Sequence, residues 1–346
     1  VWAIAVSISG FASVVFNNTP DYTYATYIIS MLVWCGGAYT LISLMREVHG
    51  NSSVFLVCNY LVAVCVMQCI LAIMIDKYPI FEDAVNKVVA GLGFVDLETL
   101  NNAGRLYGIG ASLDVAGSRF SAVLVMMAYS ATYIYNTKYK NYIFLYLLAF
   151  IVISIIGNMM ARTTTIGVGL FLMYILYESR IYVLKLSKST RNLFIGMGIS
   201  MMIAIPVTVY LYNTDYQTRS NLRFAFEGFF SLAEKGEWDV HSNEILKKMY
   251  VFPDNPKTWI IGDGYIENPL STDPYYTGII YGGYYHGTDV GYLRFIYYFG
   301  VVGLFCFCMF MIKAGQIVTS RFEKEKLMLW VVLAVNFIVW FKVSTD

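Results

Sequence analysis

The sequence predicts an all-α fold: a polytopic transmembrane bundle of about nine helices with a large, partly helical extracytoplasmic loop. Three observations carry this. Of the 346 residues, 58% are hydrophobic and 14% charged, where soluble domains hold ~25% charged residues, and mean hydropathy is +0.58. Apolar runs near the ~20 residues that cross a bilayer recur along the whole length. Basic residues concentrate in every second connection between those runs. Spans through lipid must then be helices, because an open sheet edge leaves backbone groups unpaired there. The net charge of +1 gives no electrostatic reason to expect a nucleic-acid partner; the lipid bilayer is the expected surrounding.

The first run, Val1–Phe16, lacks a basic n-region and reads as a partial span rather than a signal peptide. The chain reads as one transmembrane domain cut from a longer protein. Further spans are expected at Tyr22–Met45, Ser53–Ile75, Arg119–Tyr135 and Tyr142–Met160, then at Thr163–Leu184, Asn192–Tyr212, Asp289–Ile312 and Lys326–Phe341. Arg46 follows the second span, and Lys138 and Lys140 the fourth. Arg180, Lys185, Lys188 and Arg191 follow the sixth, and Lys313, Arg321, Lys324 and Lys326 the eighth. These connections face inward by the positive-inside rule. The others face outward: Asn17–Asp21, Asp76–Ser118, Ala161–Arg162 and Asn213–Thr288. All six cysteines lie in apolar runs and read as small buried hydrophobes.

Two outer loops are long, residues 76–118 with roughly 40 residues and 213–288 with roughly 75, against the usual limit of about 15. The second is rich in aromatics. RFAFEGFFSLAEKGEW and SNEILKKMYVF show helical spacing, so this loop is expected to roof a site.

Several arginines stand at outer ends of spans, where topology does not require them: Arg105, Arg119, Arg162, Arg219, Arg223 and Arg294. A cation in the apolar zone costs at least ~2–3 kcal/mol and usually faces the bundle interior. Arg119 is read as snorkelling to headgroups. Arg219 and Arg223 could instead pair with Glu227 or Glu234. Arg162 is the only charge in a tight turn before three threonines. Arg294 and Asp289 would lie ~140° apart on a straight helix at ~100° per residue, which predicts no direct pair. Guanidinium groups gathered at one outer cavity suit a multiply charged anion. With an apolar tail in the bilayer, that anion would be a lipid diphosphate, and the aromatic loops would meet sugars. No metal-ligand spacing stands in an outer loop, so arginines are expected to balance the phosphates, with no metal and no cofactor.

Glycosyl transfer also needs a base for the acceptor hydroxyl. His49 reads as solvated in an inner loop and His241 as a surface residue. His286 and Asp289 stand at the outer mouth of the eighth span. Asp289 is either a first-turn acid favoured by the helix dipole or the base itself.

TDVGYLRFIYYFGVVGL, with Tyr292, Leu293, Phe299, Gly300 and Gly303, resembles a segment of the bacterial O-antigen polymerases and ligases. In that segment a polar start leads to Tyr-Leu, then to Phe-Gly and a small apolar run. GRLYGIGASLDVAGSRF, with Arg105, Gly108, Asp114 and Gly117, resembles the same group's outer segment. The turn Arg162–Thr165 resembles its arginine at an outer helix start, and Trp259–Tyr265 (WIIGDGY) its late glycine turn. The resemblance covers most of the chain from Arg105 onward. It implies a metal-independent membrane glycosyltransferase at the outer face of the bacterial inner membrane, acting on undecaprenyl-diphosphate-linked oligosaccharides. Arg105, Arg162, Arg219, Arg223 and Arg294 would hold the pyrophosphate, with Asp289 or His286 as base; a chain-length regulator is a candidate partner. The group's ligases often carry histidine where this chain has Asp289. The expected activity is therefore polymerase first, O-antigen ligase or protein O-oligosaccharyltransferase second, and a transporter or lipid-linked-sugar flippase third.

Overall fold

The computed structural model describes residues 1–91, 105–109, 112–135, 142–178, 188–281 and 283–345. Lys138, Lys140, Arg180 and Lys185, which set two of the expected inner loops, lie outside the described residues, as does part of the 76–118 loop. The described residues are helical, with no strand among them. In chain order the helices are α1 (Trp2–Asn17), α2 (Tyr27–His49), α3 (Val54–Lys77), α4 (Pro79–Gly91) and α5 (Leu113–Tyr135). They continue as α6 (Ile143–Met160), α7 (Thr164–Glu178), α8 (Lys188–Thr214), α9 (Tyr216–Ala225) and α10 (Glu227–Lys235). The last five are α11 (His241–Met249), α12 (Pro256–Ile260), α13 (Pro269–Thr272), α14 (Gly291–Arg321) and α15 (Lys326–Val339).

A helix stands over each expected span. Among the described residues four helices are long and apolar enough to cross a membrane: α2, α3, α6 and α14. The apolar stretches Trp2–Asn17, Thr164–Glu178 and Gly198–Thr214 are shorter. These helices mark a membrane protein. Of the cysteines, Cys58, Cys65 and Cys69 are buried, whereas Cys35 is exposed on α2 and Cys306 and Cys308 are half-buried. The chain forms two compact units, one of Val1–Ser52 with His241–Asp346 and one of Ser53–Val240. The long loop 213–288 is thereby divided, with α9 and α10 in the second unit and α11 to α13 in the first.

In the second unit α5 is the inner helix, packed on α3, α6 and α7. Small residues let it approach α7 and the turn before it, as between helices in lipid. A Cβ on Gly167 would stand 2.3 Å from Ser121 Cα. Ser121 Oγ donates to Thr163 O at 2.9 Å and accepts from Gly167 N at 3.1 Å. Sequence caps fix other starts: Ser53 Oγ accepts from Leu56 N at 3.1 Å for α3, and the Asp215 carboxylate from Thr218 N at 2.7 Å for α9.

In the first unit α14 packs against α1, α12 and α15. Its core is aromatic: Tyr24, Tyr27, Phe295, Tyr298, Phe299, Phe307 and Trp340 are all buried. Edge-to-face contacts run through it, as Tyr24 on Phe295 at 5.7 Å and Phe295 on Trp340 at 4.9 Å. The helix starts at Gly291, two residues later than the expected Asp289, and runs on to Arg321. It is also broken. Phe299 (φ −133°, ψ 18°) and Gly300 (φ 67°, ψ −175°) leave helical geometry. The carbonyls freed by this break need new donors in an apolar interior. Asp263 N donates to Tyr297 O at 2.6 Å, and Gly264 N to Tyr298 O at 3.1 Å. Ser13 Oγ also donates to Tyr298 O, at 2.6 Å. The donors come from the Gly262-Asp263-Gly264 turn after α12, which begins cleanly because Asn255 caps Thr258 N at 2.9 Å ahead of Pro256.

Two glycines permit this docking. A Cβ on Gly300 would stand 2.1 Å from Ile260 O, and one on Gly262 (φ 85°) 2.4 Å from Tyr298 O. Gly300→Ala and Gly262→Ala are each expected to destabilise the unit by about 2 kcal/mol or more, from left-handed strain plus a backbone clash. Gly36→Ala in α2, where nothing lies within 4 Å, should be neutral or slightly stabilising. Thermal unfolding in detergent checks both; equal midpoints for all three variants contradict the account of the break.

Candidate functional site

The sequence-predicted residues fall into two groups, one in each unit. In the second unit Arg162 occupies the turn between α6 and α7. That turn is tightly held: Thr164 N donates to Ala161 O at 3.0 Å, Thr164 Oγ1 to Gly157 O at 3.1 Å and Thr165 Oγ1 to Asn158 Oδ1 at 2.6 Å. A Cβ on Gly117 would lie 2.9 Å from Ala161 Cβ, so α5 lies directly beside the turn. Thr164 and Thr165 thus brace the turn, and Thr163 Oγ1 donates to Asp114 Oδ1 on α5 at 3.3 Å.

Arg162 forms an ion pair with Glu227 at the start of α10 and lies 4.3 Å from the Phe224 ring centroid. Arg105 lies 4.6 Å from the same centroid. Two guanidinium groups therefore share one aromatic ring, and each pairing is favourable. They also feel each other: burial holds Arg105 below its ordinary value, Asp114 opposes this, and Arg162 adds to the lowering. Guanidinium stays charged throughout. Among the described residues Arg105 donates no hydrogen bond and Arg162 has one carboxylate partner. Phe224 itself was missed in the sequence; its only local signal is its place directly after Arg223.

Arg219 and Arg223 turn to other work. Arg223 makes a two-pronged pair with Glu234 at 2.8 and 2.7 Å and donates to Tyr212 Oη at 3.1 Å. Arg219 donates to Tyr212 O at 2.9 Å and lies over the Tyr212 ring at 5.2 Å. These contacts tie α9 to its neighbours, α8 and α10, and of the two surface pairings anticipated, Arg223 with Glu234 is present. Arg119 is exposed on α5.

In the first unit Arg294 is buried, at 5% exposure. Its Nε donates to Ile266 O at 3.3 Å, and Nη2 to Ile266 O at 3.1 Å and Glu267 Oε1 at 2.8 Å. Nη1 donates to Asp289 Oδ1 at 3.5 Å and to Ser344 Oγ. Tyr284 covers the guanidinium at 4.0 Å. All five N–H groups have acceptors. The Asp289–Arg294 contact corrects the helical-wheel expectation. Asp289 precedes the helix, with Val290 extended at φ −61°, ψ 115°, so the ~140° separation of a continuous helix does not apply.

His286 lies apart from that pair in its contacts. Its ring stacks on Tyr297 at 4.3 Å and 10°, and Tyr281 Oη lies 3.3 Å from Nδ1. Tyr285 meets it edge-on at 4.5 Å. Its backbone is left-handed, φ 53°, a conformation that non-glycine residues rarely adopt. Burial pushes the imidazole below its ordinary value, against the pull of Asp263 and Asp254. Asp263, also missed as a side chain of interest, accepts from Lys257 Nζ at 2.5 Å, Thr258 Oγ1 at 2.7 Å and Tyr285 Oη at 3.4 Å. The signal for it was present: an acid between two glycines, both at positive φ. His49 ends α2 and His241 opens α11, both exposed.

Chemically, the first unit offers a neutral imidazole held by tyrosines and a carboxylate paired to arginine. The second offers two guanidiniums with donors to spare. No family model matches the chain, and neither curated proteins nor solved structures give a match.

The lowered value of His286 has a definite pH signature. The unfolded chain takes up this proton first, near pH 6.5, so the histidine's stabilising contribution is complete above that value and is lost as pH falls through it. Wild type should therefore lose thermal stability more steeply between pH 7 and 5 than His286→Asn, asparagine being tolerant of left-handed backbone. Parallel curves for the two proteins would show that the imidazole is not desolvated.

Proposed function

We propose that the chain is an O-antigen or surface-polysaccharide polymerase. It would transfer an undecaprenyl-diphosphate-linked glycan chain onto the next lipid-linked repeat unit, at the periplasmic face of a bacterial inner membrane. The observation that supports this best is the pair of guanidiniums, Arg105 and Arg162, on the one Phe224 ring. Both are half-buried, and donors left unused close to apolar helices suit an anion that arrives attached to a lipid. Diphosphate oxygens would accept from both, and the negative charge that develops on the leaving diphosphate would be stabilised as it forms.

Arg294, in the other unit, could meet a phosphate oxygen only by exchanging Glu267, whose side chain is 51% exposed. Arg219 and Arg223 contribute positive field rather than direct contact. The acceptor hydroxyl needs a base. Asp289 is the first choice, beside Arg294, and His286 in its tyrosine cluster is the second. Tyr281 and Tyr285, both half-buried, would give ring faces to sugars. A chain-length regulator would act as a partner. A flippase would use a broken helix such as α14 to present half-helix ends to its cargo. Here the Gly262–Gly264 turn fills the break, which does not favour that alternative.

With purified full-length chain and undecaprenyl-diphosphate-linked repeat units, wild type should elongate glycan in detergent. Arg105→Ala and Arg162→Ala should each lose at least about 30-fold in rate, the ~2 kcal/mol or more that a charged contact to a desolvated anion contributes. Arg219→Ala should stay within about threefold, as expected for a surface contact. Asp289→Asn should lose more turnover than His286→Ala. Undiminished elongation by both Arg105 and Arg162 variants sinks the clamp, and absence of elongation by wild type counts against the enzyme altogether.

A further inference from the structure

A second feature of the Ser53–Val240 unit has no part in the glycosyltransferase proposal. An apolar groove of about 470 Å³ runs between α3, α6, α8 and α9. Its walls include Ile73, Leu148, Ile155, Ile203, Val207 and Leu211. Phe144, Ile203 and Val207 are exposed, so the groove is open along one side. α3 and α6 are both long and apolar enough to cross a membrane. A chain could therefore enter sideways from lipid.

One end of the groove is polar. Asp76 and Lys77, at the last turn of α3, meet Thr218 and Asn221 of α9 there. The Asp76 side chain is only 12% exposed. Its contacts, from Lys77 Nζ and Asn221 Nδ2, are both 3.5 Å long, at the limit of a hydrogen bond. Lys77 is held instead by Asp215 at 2.5 Å. The three charges sum to one negative. A largely buried carboxylate with weak partners, at the mouth of an apolar groove, gains most from a cationic donor. The same net charge repels a diphosphate.

We propose that this groove binds one acyl chain of a glycerophospholipid with a primary-ammonium headgroup, the ammonium donating to Asp76. A primary ammonium brings three N–H donors. A quaternary ammonium brings charge without N–H, and a glycerol headgroup brings no cation.

The test is native mass spectrometry of the full chain, released from detergent after incubation with an equal mixture of phosphatidylethanolamine, phosphatidylcholine and phosphatidylglycerol of matched chains. Phosphatidylethanolamine should be retained about fivefold or more over each of the others. Asp76→Asn should reduce that retention to the level of phosphatidylglycerol, and Ala204→Trp, which fills the groove, should abolish retention of all three. Equal retention of the three lipids by wild type overturns the proposal, whether or not the variants fold. So does undiminished phosphatidylethanolamine binding by Asp76→Asn, or displacement of that lipid by undecaprenyl phosphate, which would make the groove a substrate site. Binding is read without turnover, so failure of the polymerase proposal leaves this result intact.

Discussion

The first unit depends on one backbone contact, the docking of the Gly262–Gly264 turn into the break of α14. A helix interrupted inside an apolar core leaves carbonyls that water would otherwise satisfy. Tyr297 O and Tyr298 O receive Asp263 N and Gly264 N instead. That exchange requires two main chains to touch, and only glycine at 262 and 300 lets them. The rest of the site is set by it. With Asp263 N pinned to α14, its carboxylate meets Lys257, Thr258 and Tyr285. Tyr285 then packs edge-on against Tyr297 at 5.7 Å, and His286 stacks on the same ring. Three residues further along the turn, Ile266 and Glu267 come under Arg294.

The second unit solves a related problem without a break. Its inner helix carries Gly117 and Ser121 where the α6–α7 turn and α7 must come close. Thr164 and Thr165 then bond back to Gly157 and Asn158, while Thr163 reaches Asp114 and Ser121 on the inner helix. A turn so fixed can hold a guanidinium in a half-buried position, where a mobile one would let the side chain escape to water. The position of Arg162 is thus set in part by small-residue packing on the helix beside its turn.

Local sequence rules served well where local physics decides. Apolar run length placed a helix at every expected span, and Asn255-Pro256 and Ser53 mark the starts of α12 and α3. Arg223 with Glu234, eleven positions apart, was within reach because both sit on the short helices of one segment. The rest required long-range contacts. Arg294 finds Ile266, Glu267 and Ser344 at separations of 27 to 50 positions, which no periodicity encodes. The Asp289 error has a sharper cause. A helical wheel presumes that the helix includes the residue in question, and Val290 is extended. Division of the 213–288 loop between two units was equally hidden, since hydropathy marks where a loop begins and ends but not which partners its helices choose.

The arginines, alike in sequence, separate by how many of their donors the protein already uses. Arg294 has spent all five on protein acceptors, of which the Ile266 carbonyl, accepting from both Nε and Nη2, is buried with it. It behaves as a rivet joining Ile266, Glu267, Tyr284, Asp289 and Ser344. Arg223 is matched in two-pronged fashion by Glu234, which satisfies its fork while leaving it exposed. Arg105 and Arg162 lean on a ring. A ring face offers attraction without taking hydrogen-bond donors, so the aromatic contact itself uses none of their N–H groups; Arg162 gives one to Glu227. Burial raises the value of any anion that arrives, because the medium around it screens less. A guanidinium held by an aromatic face retains hydrogen-bond donors, whereas one held by five acceptors has none left.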